Sequence, residues 1–361
     1  MGFTAGIIGL PNVGKSTIFN ALSSGQAPMG SYPFTTINPN RGAVTVPDER
    51  LARIGQLLGK PKPIPTHIEF FDVAGLVEGA SRGEGLGNTF LGHIRNVEAL
   101  IHVVRCFESP DAQHVMGGVD PLRDIEIINT ELLLADQQLL EKDRGQMEKK
   151  AQGGDREAAG RLSTLEAMSE HLNAGRLLRS FEPGDSAQEL VRHYGLITAK
   201  PVLYVVNVGE EGCRPDLLEQ VRLFAEGEGA QVVPISGKLE EEISELPSEE
   251  KSEYLKAMGL ERSGLERLVE SAYRLLDLIT FYTITTDLQA WTIREGTAAP
   301  QAAGRIHGDF ERGFIRAEVF HFDDLLRAGS DHRIREMGLL RTEGKGYRVR
   351  DGDIIHFLFN V

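Results

Sequence analysis

Apolar runs and helical repeats alternate along the first 120 residues of the chain. The run TAGIIGL predicts a short buried strand, and KSTIFNALSS after it has the spacing of a helix. Two further apolar runs, IPTHIEFFDVAG and ALIHVVRCF, predict strands later in the same segment. Apolar strands separated by helices are typical of a parallel sheet with both faces covered. The pattern therefore predicts a doubly wound α/β domain.

A helical segment interrupts this alternation after Asp120. Apolar residues recur near helical spacing in PLRDIEIINTELLLADQQLLEKDRGQMEKKA, which predicts one long amphipathic helix. The GGD sequence at 153–155 ends it, and a second helix is predicted from about Arg156 to Leu178. Two helices joined by a short turn form a hairpin. Because KPVLYVVN resumes the strand pattern afterwards, we interpret the hairpin as an insertion.

The last part of the chain is rich in short strands. The runs TFYTITT, AWTIREG, GFIRAEVF and YRVRDGDIIHFLFN alternate well and are bounded by Gly and Asp. We therefore predict three parts: an α/β domain over 1–120 and 185–278, a helical hairpin over 121–184 and a small α+β domain over 279–361.

Composition narrows the class of protein. A net charge of −14 argues against a protein that coats nucleic acid by bulk charge. No apolar run approaches the ~18 residues of a membrane span, and the N-terminus lacks the basic region of a secretory signal. Two cysteines do not make a disulfide scaffold. We expect a soluble cytoplasmic protein with no membrane contact.

The first strand leads into a phosphate-binding motif. GLPNVGKST at 9–17 fits G-x-x-x-x-G-K-[ST] between a predicted strand and a predicted helix. Its glycines let backbone N–H groups turn toward phosphate oxygens, and the helix N-terminus favours negative charge. Lys15 is expected to reach the β- and γ-phosphates, and the Ser16 hydroxyl to bind Mg²⁺. The nucleotide-binding residues predicted in this loop are Asn12, Val13, Gly14, Lys15, Ser16 and Thr17.

Two further segments are candidates for the γ-phosphate and metal site. Asp72 ends the strand in FFDVAGL, where its carboxylate can hold Mg²⁺ through water, and the Gly75 N–H can meet the γ-phosphate. Alone, Asp72 could equally cap the strand end, but the phosphate loop favours the metal role. Thr35 and Thr36 in SYPFTTINPN are candidates for a hydroxyl that binds Mg²⁺ only beside γ-phosphate, and we assign Thr36.

These motifs together carry a family resemblance. GLPNVGKSTIFNAL, YPFTT and DVAGLVEGASRGEGLGNTFL resemble the Obg family of P-loop GTPases of the TRAFAC class. The VRCFE strand, the helical insertion, NVGE and the C-terminal block narrow the resemblance to the YchF branch, the Obg-like ATPases. It covers nearly the whole chain. The resemblance implies that the C-terminal part is a TGS domain of β-grasp fold. It also implies that the hairpin and the TGS domain bind the ribosome through its large subunit.

Hydrolysis in this chain needs a substitute for a missing glutamine. Leu76 stands where many small GTPases carry the Gln that orients the attacking water. The resemblance implies a catalytic histidine at His114, in a loop that leaves the carboxyl edge of the sheet. The alternative is an exposed His without a role. Asn12 also has two interpretations: it holds a K⁺ ion near the phosphates, as in some relatives with Leu, or it tolerates an unusual loop dihedral.

The base-reading corner departs from the guanine pattern. VVNVGE stands where a GTP-binding protein would have Asn-Lys-x-Asp. Val208 can cover the ring face, Asn207 can accept from adenine N6, and Glu210 is one methylene longer than Asp. Ser236 begins SGK, which is close to the Ser-Ala-Lys loop that touches guanine. We therefore expect ATP to be preferred over GTP.

Basic residues gather near the C-terminus. Between His332 and Arg350, six Lys or Arg residues stand against two Glu residues. Such a face could meet RNA phosphates, and a solvated rim explains it equally well.

The sequence thus predicts an Mg²⁺-dependent hydrolase that converts ATP to ADP and phosphate. The family resemblance implies that it acts as a ribosome-associated nucleotide switch in translation or stress regulation. The alternatives are an Obg-type GTPase and a nucleotide-gated ribosome- or RNA-binding module with negligible turnover.

Overall fold

The computed structural model describes residues 3–24, 41–73, 86–109, 114–182 and 184–360. The predicted site residues Thr36 and Gly75, together with Thr35 and Leu76, lie outside these ranges. The chain divides into two compact units: Phe3–Gly42 with Glu69–Ala272, and Ala43–Ile68 with Tyr273–Val361.

The first sheet is the doubly wound sheet that the sequence predicts. Its strands are β1 (Thr4–Ile8), β2 (Arg41–Thr45), β3 (His67–Asp72), β4 (Ala99–Cys106), β5 (Val202–Val208) and β6 (Gln231–Ile235), in the order β2-β3-β1-β4-β5-β6. The pairs β1·β3, β1·β4, β4·β5 and β5·β6 are parallel. Every residue of β4 is buried. The predicted α/β fold class is confirmed.

Helices flank these strands and continue into the C-terminal part. In chain order they are α1 (Lys15–Ser24), α2 (Glu49–Leu58), α3 (Leu86–Arg95), α4 (Pro121–Gln152), α5 (Arg156–Asn173), α6 (Asp185–Tyr194), α7 (Pro215–Gly227), α8 (Gly237–Glu245), α9 (Ser248–Ala257), α10 (Gly264–Leu275), α11 (Ala299–Ile306), α12 (Gly308–Arg312), α13 (Phe322–Ala328) and α14 (Asp331–Glu336). Within the described ranges, no helix is both long and apolar enough to cross a membrane.

The helical hairpin consists of α4 and α5. Asp120 caps α4 by accepting a hydrogen bond from Arg123 N–H, and Asp155 caps α5 in the same way through Glu157 N–H and Ala158 N–H. Buried leucines and Met168 pack the two helices together. The second helix ends at Asn173 rather than near Leu178, because the chain turns at Gly175 with φ 74.

The second unit contains a mixed sheet. Its strands are β7 (Leu278–Thr283), β8 (Gln289–Arg294), β9 (Phe314–His321), β10 (Arg341–Glu343) and β11 (Asp353–Phe359), in the order β10-β9-β11-β7-β8. The β7·β11 pair is parallel and the other pairs are antiparallel. Helix α2 belongs to this unit, where Leu51 and Ile54 share a core with Tyr282. The sequence pattern does not predict that placement.

Candidate functional site

The loop between β1 and α1 has a backbone that requires glycine at two positions. Gly9 has φ 148 and Gly14 has φ 91, a region that residues with a Cβ rarely adopt. A Cβ at Gly9 would overlap the Val103 carbonyl oxygen, and one at Gly14 would overlap the Asn207 amide nitrogen. Asn12 has φ 61, so it does occupy the unusual dihedral considered for it. The two glycines therefore let the loop pack against β4 and β5.

Lys15 begins α1 and lies inside the phosphate loop. Its side chain is buried, with 7% exposed, and Nζ donates to the Leu10 carbonyl oxygen at 2.6 Å. Burial lowers its pKa to about 8, against the opposing effect of the Asp72 carboxylate. Within the part of the chain that the structure describes, no carboxylate forms an ion pair with this ammonium. A phosphate group would supply a negative charge that compensates for the water that burial has removed.

Ser16 and Asp72 form a hydroxyl–carboxylate pair next to this ammonium. The Ser16 hydroxyl donates to Asp72 Oδ2 at 3.1 Å. Asp72 Oδ1 is buried and has no hydrogen-bond partner among the described residues. A buried carboxylate oxygen without a donor is costly, unless a cation or an ordered water meets it. The pair therefore fits a hard cation such as Mg²⁺, which takes oxygen ligands.

The protein offers few ligands to such an ion. Among the described residues, no group of three or more His, Cys, Asp or Glu side chains converges on one point. Mg²⁺ in nucleotide sites commonly keeps several waters and takes phosphate oxygens beside one or two protein ligands. Ser16 and Asp72 are sufficient for that arrangement. Thr17, the next residue on α1, is partly buried.

Asn207 at the end of β5 connects two loops of the site. Its side chain is buried; Nδ2 donates to the Val13 carbonyl oxygen at 2.8 Å, and Oδ1 accepts from Gly237 N–H at 3.0 Å. Sequence analysis assigns Asn207 to the base. The structure shows that both ends of its amide are engaged within the chain, so it also positions the phosphate loop.

The other base-corner residues lie around the turn after β5. Glu210 forms an ion pair with Lys238 of α8, and more than half of each side chain is exposed. This contact raises the pKa of Lys238. Val208 is partly buried at the end of the strand. Ser236 Oγ is buried without a hydrogen-bond partner among the described residues. The Ser236 hydroxyl therefore has hydrogen-bonding capacity that no described residue uses.

His114 lies just before α4 and is held by its first turn. Nε2–H donates to Asp124 Oδ2 at 2.6 Å, and Nδ1 accepts from Met116 N–H at 3.1 Å. The second bond assigns the ring proton to Nε2, since an acceptor Nδ1 carries none. The side chain is 3% exposed. It is therefore not the exposed loop His considered as the alternative.

Arg105 is a residue that the sequence analysis misses. It is buried near the end of β4, where Nη1 donates to the Asn12 carbonyl oxygen at 3.2 Å and Nε donates to the Phe107 carbonyl oxygen at 2.9 Å. Burial lowers its pKa, and Asp124 acts in the opposite direction. An arginine inside the apolar run ALIHVVRCF was the available signal.

A Gly-rich phosphate loop between a parallel strand and a helix, with a Ser–Asp pair beside it, defines a P-loop nucleotide-binding protein. Comparison with known proteins agrees with this class. Residues 4–140 match the family described as 50S ribosome-binding GTPase. Residues 278–360 match the YchF-GTPase_C family, described as a protein of unknown function.

Full-length relatives identify the family. The chain is 46% identical over 363 residues to the ribosome-binding ATPase YchF of Escherichia coli O157:H7, and 47% identical over 366 residues to that of Bacillus subtilis strain 168. Both alignments cover 100% of each chain. The solved structure of the Schizosaccharomyces pombe YchF GTPase is similar with a TM-score of 0.88 and 35% identity, over 99% of this chain and 98% of that one. The chain belongs to the YchF family, and the resemblance seen in the sequence is confirmed.

Proposed function

We propose that this protein hydrolyses ATP to ADP and phosphate with Mg²⁺. The observation that carries the proposal is the group of Lys15, Ser16 and Asp72 at the start of α1. It offers a buried ammonium, a hydroxyl and a carboxylate oxygen to which no described residue donates. The E. coli and B. subtilis relatives are named ribosome-binding ATPases, which supports ATP as the substrate.

Different groups in and around the phosphate loop bind the phosphates and the metal ion. Backbone N–H groups from Asn12 to Thr17 and the N-terminus of α1 hold phosphate oxygens, and Lys15 neutralises the β- and γ-phosphates. Ser16 and Asp72 would hold Mg²⁺, which neutralises charge that develops on the phosphates. His114 orients the attacking water or stabilises charge in place of the missing glutamine. A K⁺ ion at Asn12 would add a fixed positive charge, and comparing hydrolysis rates in K⁺ and in Na⁺ tests it.

A true GTPase is the second candidate, and one observation favours it. The Ser236 hydroxyl, which has no hydrogen-bond partner among the described residues, lies at the corner where Ser-Ala-Lys loops touch guanine. The S. pombe relative is named a GTPase. Against this, Glu210 is paired with Lys238 and is longer than the Asp that reads guanine. We therefore keep ATP as the preferred substrate and GTP as the weaker one.

The partner that we propose is the ribosome, with nucleotide state as the switch. The relatives are named ribosome-binding ATPases, and the family that matches residues 4–140 is described as 50S ribosome-binding GTPase. We propose that the hairpin α4–α5 and the C-terminal unit contact the large subunit. The protein would then act on ribosomes in the cytoplasm. The basic residues of 332–350 are candidates for contact with RNA phosphates.

The test is phosphate release from ATP and from GTP at matched concentrations, with and without Mg²⁺. Wild type should turn over ATP faster than GTP, and Asp72→Asn should lose Mg²⁺-dependent turnover. Glu69→Gln is the matched control, because Glu69 lies on the same strand and pairs with the half-exposed Arg41 at the surface. Faster release from GTP would favour the second candidate. Binding without multiple turnover, even with ribosomes and K⁺, would replace the hydrolase with a nucleotide-gated binding module.

A further inference from the structure

The His114 ring has no nitrogen left for a substrate in this structure. Nε2–H is engaged by the Asp124 carboxylate, and Nδ1 is engaged by the Met116 amide. A histidine that orients water or meets phosphate must use one of these atoms. In the observed orientation the ring therefore stabilises the loop and has no free nitrogen for the reaction.

Asp124 is built into the first turn of α4, the long helix that continues into the hairpin. Its side chain is 2% exposed. Arg123 donates to Asp124 Oδ1 from Nη2 at 3.2 Å, so the carboxylate has partners on both oxygens. The Arg123 guanidinium also donates to the carbonyl oxygens of the residues that follow His114: Met116, Gly117 and Gly118. The helix start thus holds both the ring and the loop.

The same carboxylate is linked electrostatically to Arg105, which contacts the phosphate loop. Asp124 acts electrostatically on Arg105, whose guanidinium donates to the Asn12 carbonyl oxygen. The start of α4, which holds His114, therefore acts electrostatically on a residue that contacts the nucleotide loop. Gly117 and Gly118, at φ 67 and 66, provide a backbone next to His114 that residues with a Cβ rarely adopt.

We propose that Asp124 is a positioning residue for hydrolysis: it holds His114 in a resting orientation in which both ring nitrogens are occupied. Only molecules in which the ring is released from Asp124 can hydrolyse nucleotide, and we call them the released population. Because Asp124 belongs to α4, a displacement of that helix by a partner on the hairpin would release the ring. The inference rests on the proposed role of His114 in hydrolysis.

The predicted consequence is a gain of activity. Asp124→Asn keeps the shape of the side chain but replaces a charge-assisted hydrogen bond with a neutral one of about half the strength. Turnover of ATP without ribosomes should rise about fivefold, since the released population grows by that factor. The Kd for ATP should stay within about twofold, because Asp124 does not contact the phosphate loop directly. Arg123→Gln, which loosens the same loop and leaves Asp124 in place, should also raise turnover.

Chemical modification reports the release independently of activity. Diethyl pyrocarbonate acylates accessible unprotonated imidazole nitrogens, and both His114 nitrogens are engaged in the wild type. Asp124→Asn should accelerate modification of His114, measured by peptide mass spectrometry, while exposed His332 provides the internal reference. Glu126→Gln is the matched control, because it removes a carboxylate from the exposed face of the same helix turn.

Three variants, compared with the wild type, separate this inference from the proposed function. If His114→Ala lowers turnover and the double variant with Asp124→Asn is equally slow, the gain in Asp124→Asn acts through His114. If His114→Ala is slow but Asp124→Asn is no faster than wild type, the positioning role is wrong and the proposed function stands. If His114→Ala turns over like wild type, the role of His114 in hydrolysis fails, and the positioning inference fails with it. Equal modification of His114 in wild type and Asp124→Asn would also overturn the resting orientation.

Discussion

Asn207 at the end of β5 donates a hydrogen bond from Nδ2 to the carbonyl oxygen of Val13, 2.8 Å away in the phosphate loop. Its Oδ1 accepts from the Gly237 N–H at the start of α8. One buried amide therefore links the phosphate loop to the start of α8, which follows the residues that we propose contact the base.

We predict that Asn207→Ala weakens the binding of ATP and GTP by similar factors. The substitution leaves a buried carbonyl and a buried N–H without partners, at a cost of about 1–3 kcal/mol for each group. The free energy of unfolding should fall by a comparable amount. Titration with each nucleotide and denaturant unfolding measure both effects. Asn20→Ala on the exposed face of α1 is the control.

The contrary result is equally informative. A loss confined to ATP would show that the Asn207 amide accepts from adenine N6, as the sequence analysis expects. The Val13 and Gly237 contacts would then be secondary to base recognition.

The sequence predicts the phosphate loop well because its determinants are local. An apolar strand, two glycines with positive φ and a Lys-Ser pair at a helix start all lie within residues 4–16. The two hairpin helices follow from apolar spacing for the same reason. Helix α2 could not be assigned in this way, because its place in the second unit depends on Ile54 packing with Tyr282, 228 residues along the chain (282 − 54).

The contacts around His114 show the same limit within the site. The family resemblance points to the histidine, but no spacing rule relates it to Asp124 on the following helix. The contact depends on how α4 leaves the sheet, which is a property of tertiary packing. Arg105 is similar, because a buried cation in a strand finds its carbonyl partners only after the loops are placed.

Lys15 predicts a specific dependence of nucleotide binding on pH. The lowered pKa of about 8 means that the free protein loses this ammonium above pH 8, whereas bound phosphate favours the charged form. The affinity for ATP should therefore fall by about tenfold per pH unit above pH 8. Titrations at pH 7, 8 and 9 measure the slope.

Two variants isolate the lysine. Lys15→Met should bind ATP weakly and without this slope. Lys200 provides the matched control, because burial lowers its pKa to about 8 as well, while its Nζ donates to the Arg95 carbonyl oxygen rather than to the phosphate loop. Lys200→Met should keep the wild-type slope. Loss of the slope in Lys200→Met would assign it to another group.

The free energy of unfolding of the nucleotide-free protein should rise with pH over the range in which the affinity for ATP falls. An unfolded lysine keeps its proton up to about pH 10.5, whereas folded Lys15 keeps it only up to about pH 8. Between these values the unfolded state binds more protons, so the contribution of Lys15 to the free energy of unfolding rises with pH. Urea unfolding of wild type and Lys15→Met at pH 7.5 and 9.5 should show a smaller rise in the variant. Equal rises would contradict the lowered pKa.

The two cysteines should differ in reactivity. Burial raises the pKa of the Cys106 thiol to about 12, and its neighbour Cys213 adds to the effect. Because the thiolate is the nucleophile, Cys106 should react with iodoacetamide far more slowly than the partly exposed Cys213 at pH 8. Peptide mass spectrometry over time measures both rates. Similar rates in the native protein, with denatured protein as the reference, would contradict this burial.

Glu210 offers the sharpest test of base selection. Its carboxylate is paired with Lys238, so two features separate it from a guanine reader: its length and its partner. Glu210→Asp shortens the side chain, which should weaken the pair with Lys238 and return the carboxylate to the position that accepts from guanine. We predict that the ratio of GTP to ATP affinity rises by roughly tenfold, a small part of what a complete hydrogen-bonded reader achieves. Labelled GTP and ATP measure the ratio, and Glu211→Asp in the same exposed turn is the control. An unchanged ratio in Glu210→Asp would show that another residue of this corner selects the base.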